Sequence, residues 1–277
     1  MDHKKTVEPG IPVSIYWFSG TGNSLIIALE CMRYFKDHGH PVTCFPIEST
    51  DPQSVKGQGL TGFVVPVAGQ STYPFIWEFF EKLSEADGTP CFFADTMAMY
   101  SGGILGPLKT LLKRKGYHPI AAREFIMPNN LFRKKGRPEM EQALIKKSKT
   151  GTRIFCEQMV QGKGSWWDIP GYSRIMSCWY RYRPMVNAFK KIVDYQIDPE
   201  RCTRCGICIK LCPENSLILS DHHSVPVRTE TCSLCHRCFA YCPEEAVRIG
   251  RKDHFRYRSL SLPELTVHLE RSESDPA

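Results

Sequence analysis

Cys202-x2-Cys205-x2-Cys208-x3-Cys212-Pro213 recurs thirty residues later as Cys232-x2-Cys235-x2-Cys238-x3-Cys242-Pro243. Eight thiols in two copies of one spacing demand a backbone that curls tightly around small centres. The chain holds thirteen cysteines in 277 residues, and an odd count in a chain this long argues against a disulfide framework. The start, Met1-Asp2-His3-Lys4-Lys5-Thr6, is polar and lacks the apolar stretch of a secretory signal. A reducing, cytoplasmic setting is therefore expected, where disulfides are rare and metal is the live alternative. The repeated spacing is that of bacterial 4Fe-4S ligation, in which the fourth cysteine of each run serves the other cluster. Three closely spaced thiolates wrap one corner of a cube, and the proline redirects the fourth across. The expected sets are Cys202, Cys205, Cys208 and Cys242 on one cluster, and Cys232, Cys235, Cys238 and Cys212 on the other. Paired zinc sites are the alternative, but zinc uses two CxxC knuckles per ion and needs neither a third cysteine nor a Cys-Pro in each run. Cys31, Cys44, Cys91, Cys156 and Cys178 show no such spacing and are expected as buried thiols.

The first half of the chain alternates between strand and helix signals. Val13–Phe18 is β-rich, and Asn23–Lys36 then sets Leu25, Ala28, Leu29, Met32 and Phe35 at helical spacing. Strands are expected again at 41–47, 60–67, 91–95 and 120–127, with helices at 75–83, 104–115 and 138–161. Gly116 ends the third helix and Pro128 stops the fifth strand. Strands joined by crossover helices imply a parallel sheet covered on both faces, a doubly wound α/β layer. The longest apolar runs fall well short of the roughly 20 residues needed to span a bilayer, so no membrane span is expected.

Phe18-Ser19-Gly20-Thr21-Gly22-Asn23-Ser24 lies between the first strand and the first helix, where backbone N–H groups and the helix dipole favour an anion. Hydroxyls of Ser19, Thr21 and Ser24, with Asn23, can ring a terminal phosphate, and Gly20 and Gly22 let backbone come close. A dinucleotide loop would need G-x-G-x-x-G and an acid about twenty residues on, and a Walker loop a Gly-Lys-Ser/Thr. Neither pattern occurs.

This loop and the five-strand alternation resemble flavodoxin. The resemblance implies strand order 2-1-3-4-5, with the 5′-phosphate of FMN on the glycine loop and the flavin at the switch point between strands one and three. It also implies that the loops at 66–74 and 96–103 hold the isoalloxazine ring, giving Ala68, Gly69, Tyr73, Tyr100, Gly102 and Gly103 as cofactor-binding candidates, with Tyr73 and Tyr100 to stack on it. Relatives often carry an aromatic where Ala68 stands. Ile197–Gly250 resembles a bacterial two-cluster ferredoxin, a small α+β domain, with one departure: His236 stands where the first run has Gly206. It is expected as a surface imidazole, modulation of its cluster being the alternative. The order of parts is similar to the flavodoxin-like/two-cluster ferredoxin fusions of anaerobic bacteria and archaea, the EFR-type ferrodoxin family, on the strength of the glycine loop, Met127-Pro128-Asn129-Asn130 and the two cysteine runs.

The expected domains are a flavodoxin-like FMN-binding domain at 11–161, an aromatic and basic connector at 162–196, the ferredoxin domain at 197–250 and a tail at 251–277. From Gly162 to Pro199 eight aromatics sit among six Lys or Arg, the composition of a packed connector rather than a flexible tether. A surface for single-stranded nucleic acid is the alternative. Net charge is +7, but residues 109–149 alone hold twelve bases against three acids. Two clusters at about −2 each would offset much of the total, so charge gives no reason to expect nucleic acid. The basic segment is expected as a solvated pair of helix faces, docking of an acidic redox partner being the alternative. With no Ser-His-Asp set, no paired carboxylates beside a pocket motif and no second nucleotide loop, the expected function is electron transfer between FMN, two 4Fe-4S clusters and another redox protein. The alternatives are a flavin-dependent reductase of a small acceptor and a cluster-only binding module.

Overall fold

In a computed structural model the described residues are 7–99, 101–131, 135–168, 171–191, 193–219, 224–250 and 254–274. Five strands form one sheet: β1 (Val13–Trp17), β2 (Val42–Pro46), β3 (Leu60–Pro66), β4 (Pro90–Met97) and β5 (His118–Ile126). Their order is β2-β1-β3-β4-β5 and every pairing is parallel, as the flavodoxin resemblance implies. Four helices cross over it: α1 (Asn23–Asp37), α2 (Pro74–Lys82), α3 (Leu105–Arg114) and α4 (Pro138–Val160). The doubly wound layer arises because the central strands β1, β3 and β4 are apolar on both faces. Ile15, Trp17, Leu60, Val64, Phe92 and Ala94 turn toward α1 and α4, while Tyr16, Phe18, Phe63, Val65, Cys91 and Phe93 turn toward α2 and α3.

The connector folds into α5 (Tyr172–Arg181) and α6 (Arg183–Lys190) and joins the second of these cores. Trp166 stacks on Phe93 at 6.0 Å and donates its indole N–H to Leu105 O, and Val186 is buried in the same cluster. Arg181 lies 4.3 Å over the Trp77 ring. Such ring packing is what the aromatic composition anticipates.

The remainder is a doubled unit. It comprises β6 (Tyr195–Ile197), α7 (Ile207–Lys210), β7 (Leu217–Ile218), β8 (Val227–Arg228), α8 (Arg237–Tyr241) and β9 (Val247–Ile249). β6 pairs antiparallel with β9, and β7 with β8, so the first half of the unit is zipped to the second. Leu211, Ala240 and Tyr241 are buried in the same cluster as β1 and α1, and the two halves of the chain thereby share apolar core.

The tail, which the sequence reading left undiagnosed, ends in α9 (Leu262–Ser274). Ser261 and Glu264 form a capping box: Ser261 N–H donates to Glu264 Oε2 at 2.7 Å, and Glu264 N–H to Ser261 Oγ at 3.5 Å. Leu265 is fully buried in the core, with Leu260, Leu262 and Leu269 packed beside it, and the helix lies against the edge strand β2. No helix among the described residues is long and apolar enough to cross a membrane.

Leu265→Ala is expected to destabilise the protein by about 2–5 kcal/mol, the cost of a large-to-small change in a packed core. The urea midpoint should fall with an unchanged slope. A midpoint equal to that of the parent would mean that α9 is not docked.

Candidate cofactor and cluster sites

A cavity of about 290 Å³ opens at the carboxyl ends of β1, β3 and β4. Ser19, Gly20, Thr21, Asn23 and Ser24 line one end, joined by Ala68, Gly69, Tyr73 and Thr96. The loop is held by its own side chains. Ser19 Oγ accepts the Gly22 N–H at 3.0 Å, Ser24 and Thr96 share a hydroxyl bond of 2.8 Å, and Asn130 donates to Thr21 Oγ1 at 3.1 Å. Asn23 donates to Pro128 O at 3.0 Å and accepts from the Tyr257 hydroxyl at 2.8 Å, so it ties the loop to the segment after β5 and to the tail. Asn23 is thus a strut as well as a candidate phosphate contact. Thr96, at the start of the expected ring loop, and the Pro128-Asn129-Asn130 stretch, which entered the sequence reading only as part of the resemblance, form part of this wall.

The second wall is a tight turn. Ala68 and Ser71 exchange two backbone hydrogen bonds, with Gly69 and Gln70 between them at φ 51° and 69°. Trp77 Nε1 donates to Ser71 Oγ and Thr72 Oγ1 to Pro66 O, which pins the turn to β3 and α2. Tyr73 lines the cavity with its ring edge-on to Phe18 at 5.7 Å and parallel to Phe75 at 5.8 Å. Gly102 and Gly103 do not line it. They pack against the connector instead, and a Cβ on Gly103 would stand 2.6 Å from Ser177 N. Tyr100 lies outside the described residues, as do Arg133 and Lys134 of the basic segment. Within that segment Lys109 donates to Trp166 O and Lys115 to Leu83 O, so part of the charge is used to tie down loops.

The two glycines have a use that the sequence reading did not foresee. A Cβ on Gly20 would stand 2.0 Å from the carbonyl oxygen of Cys235, and one on Gly22, at φ 99°, would stand 2.4 Å from Ser259 Oγ. Only glycine lets the second cysteine run and the tail lie directly on the loop. Ser259 completes that contact by donating its N–H to Thr21 O at 2.9 Å. Arg237 fastens the other side. It is 2% exposed, donates to Ser19 O at 2.8 and 3.2 Å and to Leu211 O at 3.1 Å, and lies 4.7 Å over the Phe18 ring. Its guanidinium stands 2.6 Å from Glu48 Oε1. The two form a buried ion pair.

The eight cysteines divide into the two sets expected from the spacing. Cys212, Cys232, Cys235 and Cys238 line one cavity of about 230 Å³, and Cys202, Cys205, Cys208 and Cys242 line a tighter one. Burial, with repulsion from Cys242, Cys202 and Cys205, pushes the Cys208 thiol up to about 11. Burial raises Cys238 as well, with repulsion from Cys232 and Cys212 adding to it. Iron bound among four such thiols would offset both effects, as bound metal does for coordinating thiols. Backbone N–H groups point at the sulfurs: Ser216 at Cys212 Sγ (3.2 Å), Ala246 at Cys242 Sγ (3.3 Å) and Leu234 at Cys232 Sγ (3.4 Å). Among the described residues no three His, Cys, Asp or Glu side chains meet in the geometry of a single bound ion. A four-iron cube takes its thiolates at separate corners and does not require them to. The donor sets therefore fit 4Fe-4S clusters in residue type, number and crossover.

His236 is not a surface imidazole. It is 8% exposed, its Nδ1 is hydrogen-bonded to the Tyr195 hydroxyl, and burial pushes its pKa down to about 4, leaving it neutral at pH 7. His236 and Leu234 line both the glycine-loop cavity and the Cys232-set cavity. Ile197, Pro226 and Val247 likewise stand between the two cysteine cavities. The three spaces form a series, with Cys205 exposed in the last of them.

Residues 195–218 match a family model described as a 4Fe-4S binding domain. No curated protein matches the chain. Among solved structures, a Streptococcus pneumoniae flavodoxin is 14% identical with a TM-score of 0.41, covering 55% of this chain and 98% of its own. A two-electron reduced Megasphaera elsdenii flavodoxin is 21% identical with a TM-score of 0.37, covering 50% of this chain and 98% of its own. The chain joins a flavodoxin-like sheet to a 4Fe-4S-type unit.

Arg237→Ala should cost about 3–5 kcal/mol, because it strands Glu48 in a buried site. Adding Glu48→Gln should recover a substantial part. Equal urea midpoints for parent and single variant would mean that Arg237 is not a structural tie.

Proposed function

We propose that the chain is an electron-transfer protein that holds FMN in the glycine-loop cavity and two 4Fe-4S clusters in the cysteine cavities, and passes electrons to a redox partner. The observation that carries this reading is the serial arrangement of the three cavities, each walled in part by residues of the next. FMN exchanges two electrons or one, and a 4Fe-4S cluster exchanges one, so together they supply conversion between two-electron and one-electron carriers.

The residues have separable tasks. Ser19, Thr21 and Ser24 present hydroxyls, and the start of α1 presents backbone N–H groups, to the phosphate. Thr21 Oγ1 already accepts from Asn130, which leaves its own hydrogen to donate outward. Tyr73 and the Ala68–Ser71 turn bound the ring end of the cavity. Leu234 and His236, nearly buried, exclude water from the wall toward the cysteines. Ser216, Leu234 and Ala246 direct N–H dipoles at thiolate sulfur, which stabilises the negative charge there.

Anaerobic reconstitution should give about eight irons and eight sulfides per chain, the content of two 4Fe-4S clusters. Two zincs without labile sulfide would overturn the cluster reading. Cys212→Ala should damage the cluster held by Cys232, Cys235 and Cys238, and damage confined to the other would refute the crossover.

Thr21→Val should weaken FMN by about 1.5–3 kcal/mol, the worth of one hydrogen bond to a charged group. Fluorescence titration measures it. An unchanged dissociation constant would remove Thr21 from the site.

A further inference from the structure

The two cysteine runs repeat one backbone path, including its strained points. Arg204, Gly206 and Asn215 lie at φ 55°, 76° and 50°, and Leu234, His236 and Glu245 at φ 57°, 67° and 51°. At the middle position the first run uses glycine, which adopts this left-handed conformation at no steric cost. The second run uses histidine, for which the conformation is uncommon and sterically disfavoured. Strain kept at one copy of a repeat and avoided at the other points to a task for that side chain. The surroundings say which task. Gly206 faces open space, with nothing within 4 Å of where a Cβ would stand, whereas His236 fills the wall between the glycine-loop cavity and the Cys232-set cavity. Its orientation is fixed by the bond from Tyr195, at the start of β6, and by edge-on contact with that ring at 5.6 Å.

We propose that His236 is a positioning residue that partitions the glycine-loop cavity from the second cysteine run, closing the wall against which a bound flavin would rest and making the Cys232-set cluster the flavin's immediate electron partner. This rests on the FMN and cluster reading. Each transfer across the wall moves one electron, the donor being oxidised by one and the acceptor reduced by one, so a two-electron flavin empties in two events. The Cys202-set cluster lies one partition further out and has exposed Cys205 at its edge.

His236→Gly tests the idea without threatening the backbone, since Gly206 holds the equivalent position. The holo-protein variant should keep its eight irons and its fold by circular dichroism. Its FMN dissociation constant should rise at least fivefold. The single-turnover rate between flavin and clusters should fall at least fivefold, because a packed wall becomes a solvent-filled gap. His236→Asn, which tolerates the left-handed conformation and keeps a polar atom near Nδ1, should recover part of both. Affinity and rate within twofold of the parent would overturn the partition, and so would loss of iron in the glycine variant, which would make the role structural. A parent protein that takes up no FMN, or no iron and sulfide, would sink the underlying reading instead. Normal cofactor content with indifferent variants would sink the partition alone.

Discussion

Arg237 carries a full positive charge into the join between the two halves of the chain, and the shapes of two cavities depend on where it sits. It belongs to α8, between Cys235 and Cys238, yet its strongest contacts are to Ser19 O and Glu48 on the far side of the join. Desolvating a guanidinium costs several kcal/mol. Here two hydrogen bonds to Ser19 O, one to Leu211 O, the Phe18 ring face and the Glu48 carboxylate offset that cost together. No one of them would do so alone. Such a site does not tolerate sliding, because any shift loses several contacts at once while the charge stays buried. The register of the second cysteine run against the glycine loop is therefore fixed more tightly than apolar packing alone would fix it.

That fixed register explains the glycines. With the Cys235 carbonyl resting over Gly20, the loop is closed on one side by the cysteine run, and the tail closes Gly22 through Ser259 and Leu260. A free-standing loop of this kind would leave those positions to solvent. Here the same two residues serve both the turn and the joint. The glycine-loop end of the cavity is in this way built by three distant stretches: the loop itself, the segment after β5 through Pro128 and Asn130, and the tail through Tyr257.

The parts of this arrangement that could be read from sequence are those whose cause is local. The alternating strands and helices follow from their periodicities, the sheet order from the flavodoxin resemblance, and the grouping of eight cysteines into two sets from a spacing in which a proline redirects the fourth thiol of each run. The glycine loop was legible as a tight turn between β1 and α1 because small residues and hydroxyls stand there in one short run, and the structure opens a cavity beside it. Arg237 was not, because nothing in Cys-His-Arg-Cys says that its partner is 189 residues earlier at Glu48. His236 was misjudged for the same reason: exposure is a property of what lies opposite, and Tyr195, the glycine loop and the segment after β5 all lie far from it in sequence. The tail did carry a signal, the Ser261-Leu262-Pro263-Glu264 cap followed by Leu265 and Leu269, which marks a helix with an apolar stripe. Gly102 and Gly103 were assigned by analogy to a loop position, and the connector, whose helices the analogy did not include, occupies that space.

Duplication gives a repeat two sites with the same ligands, and identical sites give electrons no direction. The asymmetry here lies entirely in what surrounds the copies. At the paired left-handed positions the first run places exposed Arg204 and half-buried Gly206, whereas the second places Leu234 and His236 at 3% and 8% exposure. Under the proposed reading one cluster is shielded by the flavodoxin-like half and the other meets solvent beside Cys205. Solvent exposure and local hydrogen bonding are among the factors that set the potential of an iron-sulfur centre. Burying one copy of a symmetrical motif against a second domain is thus enough to make its two centres inequivalent, with the cysteine ligands themselves unchanged. The joint that Arg237 holds in register is what imposes that difference.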